Sequence, residues 1–173
     1  MNDLLSDLLF EFHRHKELAD KAIAQLDGEQ FFQRPAPHVN SVAIIVKHLA
    51  GNLLSRWTDF LSTDGEKPTR NRDGEFQLTD ADTRESLFAA WERGWEALFE
   101  AGKTLADSDL SKTVTIRGET HTVLQALLRG MSHATYHVGQ ILYLVRLVRP
   151  ESTWLTIPPG QSRPHGGVYR TAP

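Results

Sequence analysis

The sequence predicts an all-α chain folded as a four-helix bundle, and three observations carry that prediction. Four stretches repeat apolar residues at helical spacing. The connections between them are rich in proline, glycine and charged residues, which break helices. With 173 residues, 40% of them hydrophobic, the chain can bury a substantial core as a single domain over residues 1–173. Packing four apolar stripes against one another is then the economical architecture.

The first helix is expected over residues 3–27, where Leu5, Leu8, Phe12, Ala19, Ala22, Ile23 and Leu26 recur on one face and Gly28 marks the end. His13 and His15, two residues apart, point to different sides and read as surface histidines. A proline-punctuated connection over 31–40 leads to a second helix over 41–61, with Asn40 as its N-cap. Val42, Ile45, Val46, Leu49, Leu53, Trp57 and Phe60 form its stripe, edged by His48, Asn52, Ser55 and Asp59. The segment 62–82 is turn-rich and charged, long enough to cross the end of a bundle. Asp82 or Thr83 caps the third helix, whose buried stripe is Leu87, Trp91, Trp95, Leu98 and Phe99. Within the connection 106–121, Thr113 to Gly118 alternates like a short strand or hairpin arm. Thr122 and Gln125 form a capping box for the fourth helix, which ends before Pro150. The tail, 150–173, is irregular, and Trp154, Leu155 and Ile157 predict that it docks on the helices.

Composition narrows the function classes. A net charge of −3 without a basic run argues against nucleic acid or anionic membrane as the main partner. No apolar run approaches the ~20 residues of a spanning helix, and the N-terminus lacks a basic secretory start, so a cytoplasmic location is expected. With no cysteine, a transition-metal site would have to use His, Asp or Glu.

The chemistry concentrates in the fourth helix, where His133 and His137 stand four residues apart on one face. Helical projection sets both at the border of the apolar arc, so neither points freely into water. Two readings follow: core histidines satisfied by hydrogen bonds, or imidazoles converging on a cation. His48 borders the stripe of the second helix in the same manner and offers a third imidazole from across the bundle. Three neutral imidazoles would leave one or two open positions on a metal, as catalytic sites do. Ala134 after the first histidine excludes the zincin motif, and no paired Glu-x-x-His motifs suit a di-iron bundle.

VKHLAGNLLSRWTDFL around His48, the loop STDGEKPTRNRDGEF, the stretch TVTIRGETHTVLQAL, SHATYHVGQILYLVRL and the tail WLTIPPGQS together resemble the DinB/YfiT-like superfamily over residues 5–165. The nearest resemblance is to a branch of uncharacterised bacterial proteins. It implies an up-down-down-up bundle with a long crossover between helices two and three. It also implies one divalent transition metal, nickel or zinc, held by His48, His133 and His137. Characterised members include transferases of bacillithiol, mycothiol or glutathione and a maleylpyruvate isomerase.

The expected function is therefore metal-dependent transfer of a small-molecule thiol onto an electrophile, because a cation deprotonates a bound thiol at neutral pH. The alternatives are metal-assisted hydrolysis and a non-catalytic, stress-associated metal-binding bundle. No catalytic residue is assigned. Asn52, Arg56, Arg72, Glu75, Tyr136 and Gln140 are the candidate substrate contacts, with Arg70 beside Arg72 in the loop. Phe76 should dock the loop so that its charges stand near the mouth of the cavity, and the tail should cover another part of the rim. A homodimer is the open alternative to a monomer.

Overall fold

The structure is a computed structural model that describes residues 4–161. Most of these residues are helical, and one two-stranded sheet is added. The chain order is α1 (Leu4–Ile23), α2 (Gly28–Phe32), α3 (Val42–Trp57), α4 (Arg84–Lys103), β1 (Thr113–Ile116), β2 (Glu119–Thr122) and α5 (Val123–Val148). One apolar core draws on all four long helices, with Phe12, Leu49, Leu53, Trp91, Trp95, Leu127 and Ile141 among its buried side chains. Among the described residues, no helix is long and apolar enough to cross a membrane.

Local chemistry sets where each helix begins. Ser41, not Asn40, caps α3, its hydroxyl accepting from the Ile44 amide at 3.3 Å. Thr83 caps α4 by accepting from Ser86, because Asp82 is taken by Lys47 and Thr79. The Thr122–Gln125 capping box opens α5 as expected. The free amides of Leu4 and Leu5 are capped by Asp107, which follows α4 in the chain.

Two expected helices are shorter than their apolar pattern. The predicted first helix stops at Ile23, and Asp27 starts the separate turn α2 through a capping box with Gln30. Arg84 then locks the two together, donating to the carbonyls of Ile23, Leu26 and Asp27. Helix α3 ends at Trp57: Thr58 turns its hydroxyl back onto the Leu54 carbonyl, and Asp59 takes a left-handed conformation with φ 47°. Phe60 remains buried, so it continues the apolar pattern without continuing the helix.

The alternating segment is an antiparallel hairpin, pairing Thr113 with Thr122 and Ile116 with Glu119. Its two-residue turn has positive φ at both positions, 56° at Arg117 and 75° at Gly118, as a type I′ turn requires. Asp64, in the crossover between α3 and α4, accepts from the Arg117 and Gly118 amides at 2.8 and 2.7 Å. Gly65 adds a backbone bond to Thr115, so crossover and hairpin form one ordered layer beside α3.

The tail docks elsewhere than expected. Thr153 bonds Gln25, Trp154 stacks on Arg146, and Leu155 packs on the core. This lies at the C-terminal ends of α1 and α5, and no described tail residue lines the histidine cavity. The expectation for 162–173 lies outside the described residues.

Candidate metal centre

The three histidines come together because α3 and α5 pack side by side and each sets its imidazole at the border of its apolar face. His48 and His137 are buried and His133 is partly so. One nitrogen from each lies within 4.8 Å of the other two. Nε2 of His48 and Nε2 of His133 are 3.3 Å apart. That is long for a direct N–H···N bond, and it matches the edge of a tetrahedron of about 3.4 Å that two imidazoles make around an ion at ~2.05 Å.

The other nitrogens explain which lone pairs are available. His48 Nδ1 lies 2.8 Å from Glu75 Oε2, so this nitrogen carries the proton and Nε2 is left as an acceptor. His137 Nδ1 donates to Gln140 Oε1 at 2.9 Å, which leaves its Nε2 as a lone pair. That Nε2 is buried and has no partner, and His133 Nδ1 is likewise buried and unpaired. An orphaned buried polar atom costs about 1–3 kcal/mol. A cation among three converging nitrogens removes part of that penalty, so the donor set fits a divalent metal.

Protonation agrees. Burial, with the neighbouring His137 and His48, holds His133 down at about 3. Burial brings His137 to about 4 against the opposing hydrogen bond to Gln140. Both rings are neutral at pH 7, the state in which imidazole ligates.

Glu75 is the pivot of the support. Its burial favours the neutral acid, but the hydrogen bonds from His48 and Arg70 outweigh this and keep the carboxyl below its ordinary value. Arg70 grips it with Nε and Nη2, both at 2.8 Å, and reaches Glu66 with Nη1 at 3.1 Å. The 3-10 turn Asp73–Phe76 delivers this carboxylate, and Phe76 lies against the His48 ring with centroids 4.5 Å apart. Room for it exists only because residue 51, one turn after His48, is glycine. A Cβ there would sit 2.8 Å from the Glu75 carboxyl carbon.

A cavity of about 550 Å³ opens beside the histidines. Of the residues expected to meet substrate, Asn52, Arg56, Arg72 and Tyr136 line it. Glu75 and Gln140 do not; each holds the far nitrogen of a histidine. Arg117, Arg129 and Ser132 also line the cavity and were not singled out from the sequence. Arg117 faces it from the hairpin turn, and a charged residue before glycine between two alternating runs was the available signal.

The family model described as "Protein of unknown function (DUF1572)" matches residues 1–161. The chain belongs to the DUF1572 family. The DUF1572 match takes in all three histidines, the crossover, the hairpin and the docked part of the tail. No curated protein and no solved structure matches the chain.

Proposed function

We propose that this DUF1572 member is a divalent-metal-dependent enzyme transferring a low-molecular-weight thiol to an electrophilic small molecule. The observation that carries the reading is the buried, unpartnered Nε2 of His137 among three converging imidazoles, beside an open cavity. His48, His133 and His137 hold the ion, nickel or zinc, with Glu75 and Gln140 fixing the rings. A divalent ion held there lowers the pKa of a thiol brought to it, giving a nucleophile at neutral pH. Phe76 shields the His48 ring from water. Tyr136 is largely exposed, and its partial desolvation raises its pKa against the effect of Arg72, so it keeps a neutral hydroxyl for orienting substrate.

The same reading assigns the chain to the DinB/YfiT-like superfamily as an up-down-down-up bundle. Contacts support the directions. His15 meets Thr135 and Gln25 meets Thr153, so α1 and α5 run parallel. Lys47 meets Asp82 at the starts of α3 and α4, and Trp57 shares a cavity with Ala101 and Thr104 near their ends.

Hydrolysis is the weaker reading, because no Asp or Glu among the described residues lines the cavity to act as base. A purely structural metal would be expected in a closed shell, without a cavity beside it. The test uses untagged protein, metal-free and reconstituted with nickel or zinc. Near-stoichiometric uptake should be lost in His48→Ala/His137→Ala. Conjugation of bacillithiol, mycothiol or glutathione to monochlorobimane should require the metal. Uptake unchanged in the double variant, or conjugation equal with and without metal, would sink the proposal.

A further inference from the structure

The charge lining the same cavity points to the chemical class of its substrate. Among the described residues, five guanidinium groups line it, Arg56, Arg70, Arg72, Arg117 and Arg129, and no carboxylate does. Three carboxylates that do not line the cavity offset some of them: Glu75 and Glu66 take Arg70, Glu66 also takes Arg117, and Asp73 lies 3.6 Å from Arg72. Set against five guanidiniums, these three leave a surplus of two positive charges, before any metal is counted. The surplus falls on Arg56 and Arg129. Among the described residues neither pairs with a carboxylate: Arg56 Nε donates to the Gly65 carbonyl at 3.4 Å, and Arg129 Nη1 faces His121 Nε2 at 3.1 Å.

Arg56 is the unusual member. It is only 6% exposed, yet its guanidinium has no ion pair among the described residues. Burial, with Arg129 nearby, brings it down to about 10 against the attraction of Glu66, which does not pair with it, so it is still a cation at neutral pH. A buried charge without a counter-charge is unfavourable unless a ligand supplies one. Gly65 lets it lie there, since a Cβ at that position would meet Arg56 Cδ at 2.8 Å.

We propose that Arg56 and Arg129 are the receptor for a dianionic group on the small molecule that enters this cavity, either two carboxylates or one phosphate monoester. Both present paired oxygens that the planar guanidinium fork binds through two parallel hydrogen bonds. The proposal rests on the reading of the cavity as a substrate site beside a metal, and it adds what that substrate carries. Asn52, Ser132 and Tyr136 supply neutral polar groups around the anion.

The test is calorimetric titration of untagged protein at pH 7.5, zinc-loaded and metal-free. The ligands are succinate against its monoamide succinamate, and phenyl phosphate against methyl phenyl phosphate. At least one dianion should bind about tenfold or more tightly than its monoanionic partner in both protein forms. Whichever pair discriminates identifies the group. Arg56→Gln and Arg129→Gln should each reduce that preference several-fold; the exposed Arg129 position guards against a folding failure at the buried one. Equal binding within both pairs, a preference seen only with zinc, or a preference unchanged in Arg129→Gln would overturn the proposal. A dianion preference kept by a protein that takes up no metal would leave the anion receptor standing and remove the metal-centre reading.

Discussion

Gly51→Ala is the sharpest perturbation of the centre, because it touches no ligand and no cavity residue. The new Cβ would stand 2.8 Å from the Glu75 carboxyl carbon, whereas carbon atoms rest about 3.5–4.0 Å apart. The carboxylate must therefore retreat by roughly 0.7 Å or more. It cannot swing aside freely, since Arg70 holds it with two 2.8 Å bonds. The bond to His48, also 2.8 Å, would stretch to about 3.5 Å, beyond the useful range. Losing an outer partner of a ligating histidine lowers metal affinity about 10–100-fold. That corresponds to about 1.4–2.8 kcal/mol.

Stability should respond differently. Alanine gains about 1 kcal/mol over glycine within a helix, while a weakened charge-assisted hydrogen bond loses about 1.5–3 kcal/mol. The metal-free variant should therefore lie no more than about 2 kcal/mol below the parent. Zinc competition against a chromogenic chelator, with urea unfolding of the metal-free protein, separates the two effects. An unchanged zinc dissociation constant in a folded Gly51→Ala protein would refute the idea that Glu75 fixes His48 for ligation.

Gln140→Ala should weaken zinc binding less than Gly51→Ala, because Gln140 is exposed and its truncation lets water reach His137 Nδ1 in place of the lost carbonyl; an equal or larger loss in the same competition assay would reverse that ranking. Chelation should lower the melting temperature of the parent, by about 2.7 kcal/mol of stability at a free metal concentration 100 times the dissociation constant; the His48→Ala/His133→Ala/His137→Ala protein should show no such drop. The metal-free protein should lose stability as pH falls below 6.5, continuing through about 4 to about 3. His133 and His137 stay neutral when folded, with values of about 3 and about 4, while the unfolded chain takes up protons there. A His133→Gln/His137→Gln variant should flatten that decline in urea titrations run from pH 7 to 4. Asp64→Ala should speed hydrogen exchange over 113–122, since the amides of Arg117 and Gly118 lose their acceptor; unchanged protection would show that the turn holds itself.

The long helices were legible because burial imposes a period of 3.6 residues, and Phe12, Leu49, Trp91 and Leu127 obey it. Their ends were less so. Phe60 extends the apolar pattern of α3 into a segment that is no longer helical, because burial needs only a neighbouring core and not a continued helix. Gly28 was read as a stop, but the Asp27–Gln30 capping box shows a new turn beginning there. The hairpin was half visible: the alternation marked one arm, while the second, Glu119 to Thr122, carries only polar residues. Its pairing depends on the Arg117–Gly118 turn and on Asp64, 53 residues away from Arg117.

At the site, a histidine at the edge of an apolar stripe reveals itself through helical geometry, and all three did. What sequence could not reveal is which side of an imidazole a polar neighbour faces. Glu75 and Tyr136 look equally like substrate contacts in one dimension. Only the folded crossover shows that Glu75 stands behind His48, 27 residues away in sequence, while Tyr136 faces the cavity. One local signal did bear on it. Glycine inside a helix is disfavoured by about 1 kcal/mol relative to alanine, so Gly51, three residues after His48, needs a reason. The reason is the close approach of a carboxylate. At Gly51 the space left by the missing side chain is filled by a carboxylate arriving from another segment, whereas at Gly130, one turn from His133, it is filled by the ring of Trp57. That carboxylate is Glu75, held by Arg70 and delivered by the crossover, and this is why the loop belongs to the centre and is not merely a connection between helices.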